Sequence, residues 1–96
     1  MLADFSIVPL GKERGLSKYV AQIIQLIAAS GLNYQLHDMG TIVEGELDQV
    51  MELIKTCHQL MLKESHRVLT TIKIDDLKGA TNRLGKKREA VMQMLD

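Results

Sequence analysis

The chain has 96 residues, of which 46% are apolar, and its 12 basic side chains equal its 12 acidic ones in number. A chain of this length is expected to form a single domain over residues 1–96 and to bury a core without disulfides or metals. Because the net charge is zero, broad electrostatic binding to nucleic acid or to an anionic membrane surface is disfavoured.

Other features of the sequence indicate a cytoplasmic protein. Cys57 is the single cysteine, so no internal disulfide can form. The amino terminus shows no basic segment followed by an apolar signal core, and no apolar run reaches the roughly 18 residues of a membrane-spanning helix. One phenylalanine and two tyrosines are too few for a platform that stacks nucleic-acid bases.

The first third of the chain predicts a strand, a loop and a helix. Apolar and polar residues alternate over 3–8, which indicates a strand that ends at Pro9. A loop over 11–15 follows, and its glycines do not have the spacing of a phosphate-binding loop. Ser17 can cap a helix with apolar residues at three- and four-residue steps, and this helix is expected to stop at Gly31.

The segment 34–46 predicts a β-hairpin with Met39 and Gly40 as a two-residue turn. One face of this hairpin is mixed in polarity, since it is too polar for a core and too apolar for water alone. Its members are Gln35, His37, Ile42 and Glu44. A face of this kind is typical of a surface that contacts a ligand or a second subunit.

The second half of the chain predicts a helix, a strand and a tail helix. Asp48 can cap a helix whose apolar stripe includes Cys57. Alternation over 67–75 indicates the fourth strand. A last helix is expected over 82–95, although Gly85 weakens it by about 1 kcal/mol relative to alanine.

The resulting order is strand, helix, strand, strand, helix, strand and tail helix. Two right-handed crossover units joined by a hairpin give an α+β fold, the ferredoxin-like βαββαβ sandwich, here with an additional C-terminal helix. Both main helices then cover one face of the sheet. The other face is expected to be partly apolar, so a second subunit is expected to cover it; it would carry His37, Ile42, Glu44, Leu69, Thr71 and Lys73.

Five short motifs, in order along nearly the whole chain, resemble those of the family of small thiamine-binding proteins. The motifs are Ile7-Val8-Pro9-Leu10-Gly11, Ser17-Lys18-Tyr19-Val20, Ser30-Gly31-Leu32-Asn33-Tyr34, Met39-Gly40-Thr41-Ile42-Val43-Glu44-Gly45 and Arg67-Val68-Leu69-Thr70-Thr71-Ile72-Lys73-Ile74-Asp75-Asp76. The resemblance implies a ferredoxin-like fold, dimers that pair as tetramers, and non-catalytic binding of thiamine or its hydroxymethylpyrimidine moiety. Family members often carry an arginine directly after the last motif, where this chain has Leu77-Lys78.

The hairpin offers groups that match such a ligand. Thiamine joins an aminopyrimidine, which has donor and acceptor edges, to a positively charged thiazolium ring. The carboxylate of Glu44 can accept from the amino group or offset the cation, and the Thr41 hydroxyl can donate or accept. His37, Tyr34 and Ser6 are the other candidate ligand-binding residues, as a titratable ring, a flat aromatic wall and a polar contact respectively.

Each of these candidates also has a purely structural interpretation. Glu44 could pair with Lys73, and Thr41 could simply belong to the hairpin turn. His37 could be a satisfied polar group, and Tyr34 could be a core residue. A regulatory or assembly module of the same fold, without a small-molecule ligand, therefore remains the alternative function.

Catalysis and metal binding are not expected from the sequence. No nucleophile lies beside a base in a recognisable motif, and the adjacent acids Asp75 and Asp76 point to opposite faces of an extended strand. Cys57 and His58 are neighbours on a helix, where consecutive side chains point about 100° apart, so they do not form a metal site. We therefore expect a binding protein without a catalytic residue, metal or cofactor.

Overall fold

A computed structural model of the chain describes residues 1–11 and 16–95, the side chain of Leu16 excepted. The four strands form one antiparallel sheet in the spatial order β2-β3-β1-β4. The predicted ferredoxin-like α+β sandwich with an additional C-terminal helix is confirmed. In chain order the elements are β1 (Leu2–Pro9), α1 (Leu16–Ala29), β2 (Asn33–His37), β3 (Gly40–Glu44), α2 (Leu47–Glu64), β4 (Val68–Asp75) and α3 (Lys86–Met94).

The core lies between one face of the sheet and the helices α1 and α2. In β1 the residues alternate between buried and more exposed, so Phe5 and Ile7 point to the helices and Ser6 points away. Ile27 of α1 and Cys57 of α2 are both 0% exposed in the same core cluster. The predicted burial of Cys57 on an apolar helical stripe is confirmed.

Both predicted helix caps are wrong. The structure places Ser17 inside α1, which begins at Leu16, and the loop predicted over 11–15 lies largely outside the described residues. At the start of α2 the cap is Glu46 instead of Asp48, and the Glu46 backbone N–H donates to Oε1 of Gln49 at 3.2 Å. Asp48 lies in the first helical turn, where its negative charge interacts favourably with the positive end of the helix dipole.

The hairpin turn is also one residue earlier than predicted. Asp38 and Met39 form it, and His37 pairs with Gly40 instead of Ile42. The physical reason lies in the neighbouring strand: a Cβ at position 40 would come within 2.6 Å of the carbonyl oxygen of Phe5, so a glycine is needed inside β3. The register differs from the predicted one by two residues, which leaves every side chain on its predicted face.

The face of the sheet opposite the helices, which we term the open sheet face, has the predicted membership. In the register of β1 with β4, Ser6 lies opposite Thr71 and Val8 lies opposite Leu69. Leu69 is 56% exposed, so this face presents apolar surface to solvent. The open sheet face includes Asp4, Ser6, Val8, Gln35, His37, Ile42, Glu44, Leu69, Thr71 and Lys73.

The tail differs most from prediction. Helix α3 begins at Lys86 because Asn82 and Gly85 have φ of 54° and 81°, which a right-handed helix does not allow. No residue of α3 is buried, so its apolar side chains, such as Val91 and Met92, do not pack in the core of the domain. No helix among the described residues is long and apolar enough to cross a membrane.

Candidate functional site

A cavity of about 270 Å³ lies between the end of β1, the first turns of α1 and the β2–β3 hairpin. This volume lies slightly below the range of roughly 300–1,000 Å³ that is typical of small-molecule pockets. Most of the described lining is apolar, with a few hydroxyl, imidazole and carboxylate groups. The lining residues are Phe5, Ser6, Ile7, Val8, Pro9, Tyr19, Val20, Ile23, Ile24, Leu36, His37, Asp38, Met39, Gly40 and Thr41.

The cavity exists because β3 is shorter than its neighbour β1. Pairing of β1 with β3 ends at Phe5 and Thr41, whereas pairing of β1 with β4 continues to Pro9 and Val68. Beyond Phe5, no strand of the described residues lies beside the edge of β1 that faces the hairpin. The hairpin tip and the start of α1 surround this gap, and they leave it open enough for a small molecule.

Thr41 is the predicted site residue that lies most clearly in the cavity. It is 5% exposed, the only polar side chain of the described residues that is buried, and it lines the cavity. It lies on the helix side of the sheet, opposite Leu36 of β2 and Phe5 of β1. Its hydroxyl thus belongs to a mostly apolar wall, where a hydrogen bond to a ligand would be well shielded from water.

His37 and Ser6 also line the cavity, but the imidazole of His37 already has two partners. Its Nε2 lies 2.8 Å from Oδ1 of Asp4, and the backbone N–H of Met39 donates to its Nδ1 at 3.2 Å. Because Nδ1 accepts, the proton of the neutral ring is on Nε2 and is donated to Asp4. His37 thus ties the hairpin tip to β1.

The structure does not bring Glu44 to the cavity. Its Oε2 accepts the backbone N–H of Arg83 at 2.7 Å, and its Oε1 accepts that of Leu84 at 3.2 Å. The guanidinium of Arg83 binds Oδ2 of Asp75 at 2.7 Å, and this hydrogen bond holds the pKa of the Asp75 carboxyl below its usual range. Glu44 therefore anchors the tail to the end of the sheet, with backbone donors in place of Lys73.

Tyr34 is also outside the cavity lining. It lies on the edge strand β2, opposite Val43, and it is 38% exposed. Its ring shares the helix side of the sheet with Thr41 but is farther from the hairpin tip along β2. Ligand contact by Glu44 and Tyr34 stays a prediction for binding experiments.

Sequence reasoning missed or undervalued two residues of the cavity wall. Asp38 is a carboxylate of the lining, and it was not among the predicted site residues. Tyr19 of α1 lines the opposite side; its phenol offers an aromatic wall of the kind predicted for Tyr34, but it was ranked below Tyr34. Correct placement of the turn would have required the contact between Gly40 and Phe5, which is not local in sequence.

The other titratable groups of the described chain indicate structural roles. Burial raises the pKa of the Cys57 thiol to about 11, so at neutral pH it is a protonated core group and not a nucleophile. Nδ1 of His58 lies 2.6 Å from Oγ1 of Thr70, which links α2 to β4. No cluster of three or more His, Cys, Asp or Glu side chains in residues 1–11 and 16–95 could hold a metal ion.

Proteins of similar sequence come from archaea and bacteria. A UPF0045 protein of Methanocaldococcus jannaschii is 34% identical over 94 residues, which cover 98% of this chain and 94% of the relative. A UPF0045 protein of Bacillus subtilis is 35% identical over 100 residues, which cover 98% of this chain and 96% of the relative.

Solved structures support the same relationship. The crystal structure of a hypothetical protein of Methanocaldococcus jannaschii matches with a TM-score of 0.85 at 35% identity, covering 96% of this chain and 95% of that one. A Thermotoga maritima structure, assigned provisionally to thiamine biosynthesis or salvage, matches with a TM-score of 0.79 and covers 92% and 96% of the two chains. Its 21% identity supports the fold alone.

A family model described as thiamine-binding protein matches residues 3–92. This range contains every described residue of the cavity wall and all four strands but for the first residue of β1. The curated relatives above agree with it over nearly the whole chain. The chain belongs to the thiamine-binding protein family.

Proposed function

We propose that this chain is a non-catalytic cytoplasmic binder of thiamine or of its hydroxymethylpyrimidine moiety, and that the ligand binds in the cavity beside the β2–β3 hairpin. The observation that carries the proposal is a cavity of small-molecule size with the buried Thr41 hydroxyl in its wall. The family name supports the class of ligand.

The chemistry of the cavity suits the two rings of thiamine. Phe5, Leu36 and Tyr19 offer apolar and aromatic surface to a flat aminopyrimidine. The Thr41 hydroxyl can donate to a ring nitrogen or accept from the amino group. Asp38, the carboxylate of the described lining, can offset the charge of the thiazolium ring.

Calorimetric titration with thiamine, its phosphates and hydroxymethylpyrimidine tests this proposal. Thr41→Val keeps the size of the side chain and removes the hydroxyl, so it should weaken binding by up to roughly tenfold. Asp38→Asn should weaken thiamine more than hydroxymethylpyrimidine, because only thiamine carries the cation. A bound ligand should also raise the melting temperature, since 100 times its Kd adds about 2.7 kcal/mol to stability.

The matched control is Thr71→Val, because Thr71 is an exposed threonine on the open sheet face. It should leave affinity unchanged. Equal affinity of wild type and Thr41→Val would remove Thr41 from the site. If the wild-type chain binds none of these molecules, the alternative of a regulatory or assembly module gains support, and the exposed Leu69 on the open sheet face favours that second candidate.

A further inference from the structure

The backbone of Ile7 lies in the part of β1 that extends beyond its pairing with β3. Two backbone hydrogen bonds show to which neighbouring strand each residue of β1 bonds. Gly45 N–H donates to the C=O of Met1, and Leu10 N–H donates to the C=O of Arg67. Since bonded pairs recur every second residue, odd-numbered residues of β1 bond towards β3 and even-numbered residues bond towards β4. The N–H and C=O of Ile7 therefore point to the side where β3 would lie.

β3 does not extend far enough to meet these groups. Continued register would place residue 39 opposite Ile7, but Met39 belongs to the turn and donates its N–H to His37. Within residues 1–11 and 16–95, no strand pairs with Ile7 on this side. Ile7 is nevertheless buried, with 8% of its surface exposed, and it lines the cavity. A buried backbone N–H or C=O ordinarily has a hydrogen-bond partner.

We propose that the N–H and C=O of Ile7 form hydrogen bonds to the ligand and recognise its pattern of donor and acceptor groups. The two groups of one strand residue point in the same direction, as a neighbouring donor and acceptor. An aminopyrimidine presents the complement, because its amino group can donate to the Ile7 C=O while the adjacent ring nitrogen accepts from the Ile7 N–H. The ligand then occupies the place of the missing strand, as peptides do when they add to a sheet edge.

This inference rests on the proposed function and narrows it. The class of ligand it selects is a planar heteroaromatic ring with an amino group next to an unprotonated ring nitrogen. The pyrimidine half of thiamine has that pattern, so this half lies against β1. The remaining part of the ligand then extends along the turn that contains Asp38.

Amide hydrogen exchange measured by NMR on the full chain tests the contact directly. In the free protein the Ile7 amide should exchange faster than that of Val8, which bonds towards β4. Saturation with hydroxymethylpyrimidine should slow exchange at Ile7 by roughly tenfold or more and leave Val8 unchanged. If hydroxymethylpyrimidine binds while exchange at Ile7 stays the same, this inference is overturned and the proposed function survives.

A second probe changes the ligand instead of the protein. An analogue with a carbonyl oxygen in place of the amino group reverses the donor and acceptor pattern of that edge. Its affinity should fall by roughly tenfold or more relative to hydroxymethylpyrimidine. Equal affinity of the two compounds overturns the inference, whereas failure of both compounds and of thiamine to bind overturns the proposed function as well.

Discussion

At the scale of single residues, His37 holds the hairpin tip in place and so determines the shape of the site. Its ring receives the Met39 N–H and reaches Asp4 on β1, so it fixes the hairpin tip that forms one wall of the cavity. A glycine at position 40 lets this tip approach Phe5 and Asp4 closely. The tip therefore has a defined position before any ligand binds, which reduces the entropic cost of binding.

This geometry predicts which ring nitrogen of neutral His37 carries the proton. Nitrogen-15 spectra of the imidazole at neutral to mildly basic pH should show its proton on Nε2, because Nδ1 accepts from Met39. His66, which is exposed after α2, provides the control ring. His37→Ala should lower the free energy of unfolding by about 1 kcal/mol or less, since the pair with Asp4 is partly exposed. A proton on Nδ1 of His37 would contradict the turn contact.

At the scale of elements, local pattern predicted the faces of the strands but not their register. The alternation in β4 and in the hairpin placed Thr71, Glu44 and Ile42 on the correct face, because a slip by two residues preserves every face. The turn was missed because Gly40 is required by the carbonyl of Phe5, a contact across strands.

The candidate site was less predictable than the fold for a related reason. The cavity results from the unequal lengths of β1 and β3, which no single segment encodes. The partners of Glu44 are backbone groups 39 and 40 residues later in the chain, and backbone donors leave no signature in the sequence. Thr41, predicted as a ligand contact for its hydroxyl, lies in the cavity wall, and its contact with a ligand stays a prediction.

The attachment of the tail to the sheet gives a prediction at this scale. Glu44→Gln replaces one of the two accepting oxygens with an NH2 group that cannot accept, so one hydrogen bond is lost and the other loses its charge. Residues 77–95 should therefore detach more often from the sheet. Trypsin should then cleave at Lys86, Lys87 and Arg88 several-fold faster than in wild type, because a detached tail unfolds locally more often and cleavage requires an unfolded backbone. Glu64→Gln, at the exposed end of α2, is the control and should not change the rate.

The same variant distinguishes two locations for the ligand. If the ligand occupies the cavity, Glu44→Gln should bind thiamine with nearly wild-type affinity. A charge-assisted bond from Glu44 to the ligand would instead be worth about 1.5–3 kcal/mol, so its loss would weaken binding by tenfold or more. Calorimetry on this variant and on Thr41→Val therefore decides whether the ligand binds in the cavity or at Glu44.

At the scale of the whole molecule, the open sheet face points to self-association, and we predict a homo-oligomer, specifically a tetramer. Val8 and Leu69 are exposed side by side on that face, and zero net charge leaves little repulsion between copies. Light scattering at micromolar concentration should give a mass of four 10.8 kDa chains. Leu69→Glu should shift the mass towards smaller species, because it buries a charge in the interface. Leu62→Glu, on an exposed position of α2, should leave the mass unchanged, and a wild-type monomer would contradict the role assigned to the open sheet face.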